Sequence, residues 1–331
     1  PKAIRLTCSI RMLAAEEVKR EARALGFSAC GLARVEAAES EMAPYDAWIA
    51  KGYQAGMHYM ANHRPLRRDP EGLLEGAKSI ISVALNYYPG HLLPKEAPQV
   101  AYYAYGKDYH VVVKERLRQL GERLGLSDEM RCFTDSAPLF ERYWAWRAGL
   151  GWIGKNGCLI MPHKGSFFFL GELVTTAEAD AYDQPQRSRC GRCSRCLEAC
   201  PTGALEAPRL LNANKCLSYL TIEHRDEIPV DEAQRMGNRF YGCDTCQLVC
   251  PWNRFAQPTQ EEAFQPTEAL LSLDREQLEH FTPEAYQRLF AGSAAKRAKY
   301  AGLLRNAKAW LAAQEKTAVK QPTMIWRSPK K

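Results

Sequence analysis

Residues 190–201 read Cys190-Gly-Arg-Cys193-Ser-Arg-Cys196-Leu-Glu-Ala-Cys200-Pro201, a C-x2-C-x2-C-x3-C-P run. Three thiols two residues apart wrap one face of an iron-sulfur cubane, and the fourth, on a turn stopped by proline, points toward a neighbouring cluster. A second run, Cys243-Asp-Thr-Cys246-Gln-Leu-Val-Cys250-Pro251, repeats the pattern with Phe240 where its first cysteine belongs. A cubane built on that run alone lacks a ligand. Cys216 is the unassigned cysteine between the runs, and it fills the vacancy. Exchanging the fourth ligands gives one 4Fe-4S cluster on Cys190, Cys193, Cys196 and Cys250, and a second on Cys200, Cys216, Cys243 and Cys246. Such clusters pass electrons singly, so a low-potential electron donor protein and an acceptor are expected.

Structural zinc prefers pairs of C-x2-C without the third close cysteine. Disulfides need an oxidising compartment. The remaining cysteines, Cys8, Cys30, Cys132 and Cys158, are scattered and read as background. The start of the chain sustains no signal-peptide core and no stretch is apolar for the length of a bilayer, so a cytoplasmic protein without a membrane partner is expected. Met12 opens the first amphipathic run, which sets residues 1–11 apart as leading sequence.

The chain of 331 residues, 46% hydrophobic and 25% charged, has length for two or three cores. Its net charge of +7 is concentrated: residues 291–331 carry +9, and the rest −2. A basic end of this kind fits a polyanion such as nucleic acid; a solvated helix face is the alternative. Residues 14–25 have helical periodicity ended by Gly26, and Ala29–Ala33, Ser79–Tyr88 and Phe167–Thr175 read as strands. Val111–Leu124 and Leu139–Ala148 read as helices, Cys158–Met161 as a strand. After the cysteine-rich insert only helices are expected, one of them starting at Thr282-Pro283. The fold class is α+β.

Gly149-Leu-Gly151-Trp-Ile-Gly154 matches G-x-G-x-x-G, yet a dinucleotide loop needs a strand before it and a helix after it. Here the order is reversed. The glycines instead suit a tight turn or a close backbone approach.

Several segments together resemble the epoxyqueuosine reductase family. They are Tyr105-Gly-Lys-Asp-Tyr-His110, Asp135-Ser-Ala-Pro138, Ala148-Gly-Leu-Gly-Trp-Ile-Gly-Lys-Asn156, Gly165-Ser-Phe-Phe-Phe-Leu-Gly-Glu-Leu173, Cys216-Leu-Ser-Tyr-Leu-Thr-Ile-Glu223, and Gly237-Asn-Arg-Phe-Tyr-Gly-Cys243 through Cys250-Pro-Trp-Asn-Arg254. The resemblance spans about residues 14 to 310. It implies a nitroreductase-like cobalamin-binding catalytic domain (12–182), a ferredoxin-like module with two clusters (183–258) and a helical basic tRNA-binding segment (259–331). It implies base-off cobalamin and reduction of epoxyqueuosine at the tRNA wobble position to queuosine, the last step of queuosine synthesis. The expected state is a monomer. A small-molecule cobalamin reductase and a pure electron carrier are the other function classes.

The resemblance makes Asp135 the proton donor. Opening an epoxide leaves an oxygen that needs a proton, work for a carboxyl kept protonated near neutral pH. The plain alternative is that Asp135 or Ser136 caps the helix entered at Pro138. Tyr105, His110, Asp135, Lys155, Asn156, Ser166, Ser218, Thr221 and Glu223 are the cobalamin contacts that the resemblance implies. Asp108-Tyr-His110 lacks the later glycine of a D-x-H-x-x-G cobalt-ligand motif, so His110 is expected to touch the corrin at most. The chain departs from longer family members after Ala318, where it lacks their further helical repeats; tRNA binding is then expected from 283–316 through phosphate contacts.

Overall fold

The computed structural model describes residues 12–319. The leading residues with Cys8, and Lys320, Arg327, Lys330 and Lys331 of the basic end, lie outside the described residues. The first half is built from α1 (Ala15–Ala24), β1 (Ala29–Arg34), β2 (Ser79–Asn86), α2 (Tyr109–Arg123), β3 (Met130–Phe133), α3 (Glu141–Arg147) and β4 (Phe168–Thr175). The strands form one antiparallel sheet in the order β1-β2-β4-β3.

Both faces of this sheet are covered, which is why β2 reads as a continuous apolar run rather than an alternation. Ile81, Val83 and Leu85 of β2 and Leu173 of β4 pack with Val18 of α1 and Val113 and Leu117 of α2. Their neighbours Ile80, Ala84 and Val174 point the other way, onto Tyr143 and Trp144 of α3. A period of two along the strands therefore sorts residues between two helix layers. The helix expected from Val111 starts at Tyr109, because the Asp108 carboxylate caps it by accepting from the backbone N–H of His110 at 3.1 Å.

A third core joins residues 93–105, the cysteine-rich stretch and the last helices. Gln99–Val100 pairs in parallel with Arg239–Tyr241, and Phe240, in the place of the missing cysteine, is fully buried against Phe281 and Phe290. This core also takes in α4 (Leu217–Ile222) and α5 (Lys299–Val319), through residues such as Leu217, Leu303 and Trp310. Beyond the cysteines the described residues form only helices, and Thr282 caps Pro283–Phe290 by accepting from Ala285 N–H at 3.2 Å. Among the described residues, no helix is long and apolar enough to cross a membrane.

Candidate active site and cluster centres

Cys190, Cys193, Cys196 and Cys250 line one cavity of about 260 Å3, so the fold brings the last cysteine of the second run to the first three of the first. Cys216 lies within electrostatic reach of Cys243 and Cys200, and Cys246 within reach of Cys243 and Cys216. The eleven described cysteines are free. No three ligating side chains among the described residues converge on a single metal ion. Burial pushes the Cys216 thiol up to about 11; ionising a sulfur there calls for a cation such as cluster iron. The donor set fits two cubanes, and the cavity gives room for the first.

The glycine-rich run braces both cluster loops. After α3 the chain forms a hairpin of Trp152–Ile153 and Leu159–Ile160, with a Cβ at Gly151 falling 2.1 Å from the Ile160 carbonyl oxygen. Only glycine fits that approach. At the hairpin tip Lys155 Nζ donates to the carbonyls of Gly191 and Cys193 at 2.8 and 2.9 Å, and Asn156 Nδ2 donates to the carbonyl of Cys246 at 3.2 Å. Ser166 Oγ donates to Gln247 Oε1 at 2.9 Å, tying β4's entry to the same loop.

Asp135 sits at the end of β3 with φ of 54°, a left-handed conformation that aspartate tolerates better than most residues. α3 begins only at Glu141, and neither Asp135 nor Ser136 caps it. The Asp135 side chain is 64% exposed, and Tyr109 Oη donates to its Oδ2 at 2.5 Å. Burial, then the Asp135 charge, hold the Tyr109 phenol protonated. His110 Nε2 lies 3.8 Å from the same Asp135 oxygen, while its Nδ1 is 2.7 Å from Asp108 Oδ1. The His110 hydrogen bond is the largest cause holding the Asp108 carboxyl down to about 2; Lys296 Nζ sits 3.2 Å away. Glu223, just beyond α4, receives both arms of the Arg297 guanidinium at 2.7 and 2.9 Å. Tyr59 lies within electrostatic reach of Glu223, Arg297 and Asp135, and the Arg297 guanidinium sits 5.9 Å from its ring, so these side chains gather around it.

Residues 189–253 match a family model described as "4Fe-4S double cluster binding domain", and residues 67–136 one described as "Epoxyqueuosine reductase QueG, DUF1730". An epoxyqueuosine reductase of Cyclobacterium marinum is 46% identical over 296 residues, covering 87% of this chain and 94% of that one. The chain belongs to the epoxyqueuosine reductase family. The Escherichia coli epoxyqueuosine reductase is 41% identical, covering 88% of this chain and 79% of its own. A crystal structure of epoxyqueuosine reductase with an epoxyqueuosine-modified tRNA-Tyr stem loop superposes with a TM-score of 0.81 at 30% identity, covering 92% of this chain and 82% of that one. A Bacillus subtilis epoxyqueuosine reductase structure, with the same TM-score, identity and coverage, has its catalytic aspartate loop swung out of the active site.

In this member of the epoxyqueuosine reductase family, other sequence-selected residues have their polar atoms engaged within the protein. Tyr105 is buried in the third core, its hydroxyl accepting from Leu93 N–H at 3.4 Å, and Thr221 Oγ1 donates to Leu217 O at 2.7 Å and accepts from Gly242 N–H at 2.9 Å. Ser218 is half-buried in the first turn of α4. The basic segment is partly internal: Arg305 is buried and donates to the carbonyls of Leu220, His224 and Asp226, which leaves Lys299 and Lys308 as exposed cations on α5. Cys158, read as background, lies within electrostatic reach of the Cys246 thiol. Its place two residues after Asn156 was the one sequence signal. Glu141 and Glu172 were also missed. Glu141 accepts from the Asp135 backbone N–H, and Glu172 of β4 is fully buried with no hydrogen-bond partner on either carboxylate oxygen among the described residues.

Proposed function

We propose that this protein reduces epoxyqueuosine to queuosine at the wobble position of tRNA, with two 4Fe-4S clusters as its electron supply and Asp135 as a proton donor. The observation that carries this is the group around Tyr59, which lies within electrostatic reach both of Asp135, oriented by Tyr109, and of the Glu223–Arg297 pair at the end of the helix that Cys216 begins. The conversion takes in two electrons and two protons and releases water, so electron entry and proton delivery must meet there.

Cobalamin, held base-off, would supply the reducing metal centre here, between a nitroreductase-like domain and the ferredoxin-like module. The aromatic, acidic and guanidinium groups gathered there suit a large ring edged with amides; His110, Asp135, Ser218 and Glu223 would hold it. Tyr105, Lys155, Asn156, Ser166 and Thr221 would support it through the loops and helix they brace. Asp135 carries a proton to the epoxide oxygen, and Tyr109 fixes the carboxyl for that transfer. Asp108 keeps His110 Nε2 turned toward Asp135. Exposed Lys299 and Lys308 offer phosphate contacts to tRNA. The reading places the enzyme in the cytoplasm as a monomer, with residues 12–182, 183–258 and 259–331 dividing catalysis, electron supply and tRNA binding.

The test is anaerobic purification with iron, sulfide and corrin quantified, followed by turnover of epoxyqueuosine-containing tRNA with a strong reductant. About eight irons per chain and one corrin are expected. Asp135→Asn keeps the left-handed turn and the cofactors and abolishes reduction. Normal turnover by that variant removes Asp135 from the mechanism, and a chain without corrin removes the cobalamin reading.

A further inference from the structure

The arginines around the first cysteine run have no role in the site described above. Arg187, Arg189, Arg192, Arg195 and Arg254 are all exposed, and none forms an ion pair among the described residues. Arg189 lies over the Trp152 ring and Arg254 over the Phe255 ring, so aromatic faces hold two of the guanidinium groups in place without neutralising them. Between residues 184 and 200 the sole acid is Glu198, which accepts from Ser194 Oγ. Elsewhere, exposed arginines such as Arg64, Arg68 and Arg297 are matched to carboxylates. The collar is an uncompensated charge.

Its position is specific. Arg189, Arg195 and Arg254 line the same cavity as Cys190, Cys193, Cys196 and Cys250, and that cavity includes no thiol of the second group. Arg195 and Arg254 also border a wider hollow of about 780 Å3 beside it, lined further by Tyr88 and Leu248, the latter 53% exposed. An apolar centre ringed by arginine is the composition of a protein-docking surface. Guanidinium groups pair with carboxylates through two parallel bonds and draw an acidic partner in by long-range attraction.

Resting on the reading of the clusters as the electron supply, we infer that this collar is the docking face for a small acidic one-electron carrier protein, which delivers electrons to the cluster held by Cys190, Cys193, Cys196 and Cys250. Tunnelling falls steeply with distance, so a donor must seat against the cluster it reduces. In each encounter the carrier loses one electron and the cluster gains it; two encounters supply the two electrons of one turnover. An RNA backbone could also pair with arginine, but the collar lines a cluster cavity that holds none of the residues around Asp135.

The test reads cluster reduction, not tRNA turnover, by anaerobic stopped-flow absorbance on the holoprotein. A pre-reduced plant-type ferredoxin, an acidic low-potential carrier, is the probe. The control is reduced benzyl viologen, a small cation. The wild-type rate with ferredoxin should fall about tenfold or more from low to physiological salt. Arg187→Glu/Arg254→Glu, which lies outside the cysteine run, should lose about tenfold or more with ferredoxin at low salt, keep its cluster absorbance and lose nothing with viologen. Equal, salt-independent ferredoxin rates in wild type and variant overturn the inference. So does a variant that weakens binding of a tRNA stem loop while ferredoxin reduces it normally, which would make the collar an RNA face. If the ferredoxin result holds while epoxyqueuosine tRNA is not reduced, the docking face stands and the proposed activity fails.

Discussion

Glu141 accepts a hydrogen bond from the backbone N–H of Asp135, six residues upstream, and so latches the turn that presents the Asp135 carboxyl. The latch is itself an acid in an unfavourable place. Burial first, and the charge of Asp135 second, push the Glu141 carboxyl up to about 8 from its ordinary 4.5; burial also raises Glu172 well above the carboxylate range, with Glu141 adding to it. A buried carboxylate without partners is strongly disfavoured, so Glu172 stays protonated.

A carboxyl whose value is raised on folding stabilises the fold at pH below its unfolded value, and that contribution is lost as pH rises through its folded value. The window for Glu141 is therefore about 4.5 to about 8. Glu141→Gln removes the titration while keeping an amide oxygen for Asp135 N–H. The unfolding free energy of the anaerobic variant should rise relative to wild type as pH climbs through that window, by several kcal/mol at most, read by denaturant unfolding at each pH. A pH-independent difference would show that Glu141 is no drier than a surface acid.

Tyr109 anchors Asp135 from the other side, through the 2.5 Å bond from its hydroxyl. Tyr109→Phe keeps the ring stacked on Phe169, whose centroid is 4.3 Å away, and removes only the donor. With the carboxyl free to rotate, kcat for epoxyqueuosine tRNA should fall about 10²-fold with KM little changed. A fall confined to KM would place Tyr109 in substrate binding instead.

What the sequence disclosed and what it hid divide along the range of the interactions. Thiol spacing is local chemistry, so the runs at 190–200 and 243–250 were legible as a double-cluster domain, while the assignment of Cys216 to the gap at Phe240 stands as a proposal. The apolar run of β2 announced a strand covered on both faces. Lys155 and Asn156 were legible as a polar turn but not as braces, because their acceptors lie 36 to 90 residues away. Glu172 occupies one position in an otherwise apolar strand; no local pattern tells that α3 brings a second acid over it. Arg305 counted as part of a basic tail until tertiary packing turned it inward.

The first run and the second should lose their clusters separately. Cys216→Ser leaves the cavity of Cys190, Cys193, Cys196 and Cys250 untouched, so the iron content should drop from about eight to about four per chain, with one cubane signal surviving by electron paramagnetic resonance. Loss of all iron would mean that the two sites cannot fold apart. Retention of eight irons would mean that Cys216 is not a ligand.

The two kinds of cation on α5 should likewise separate. Arg305 donates at 2.8 and 3.0 Å to the carbonyls of Leu220 and Asp226, and at 2.8 Å to Asn306 Oδ1, which in turn holds the side-chain amide that bonds Thr221 O. These bonds tie α5 to the end of the Cys216 helix. Arg305→Met strands several buried carbonyls and should cost about 3 kcal/mol in denaturant unfolding. Lys299→Ala/Lys308→Ala strands nothing, since both side chains are exposed. It should leave unfolding within about 0.5 kcal/mol of wild type. Each lysine that contacts phosphate should lower the salt dependence of stem-loop affinity by about 0.7 to 0.9 in log–log slope. An unchanged slope in the double variant would move the tRNA contacts off α5, and an unchanged stability in Arg305→Met would mean that its carbonyl partners find other donors.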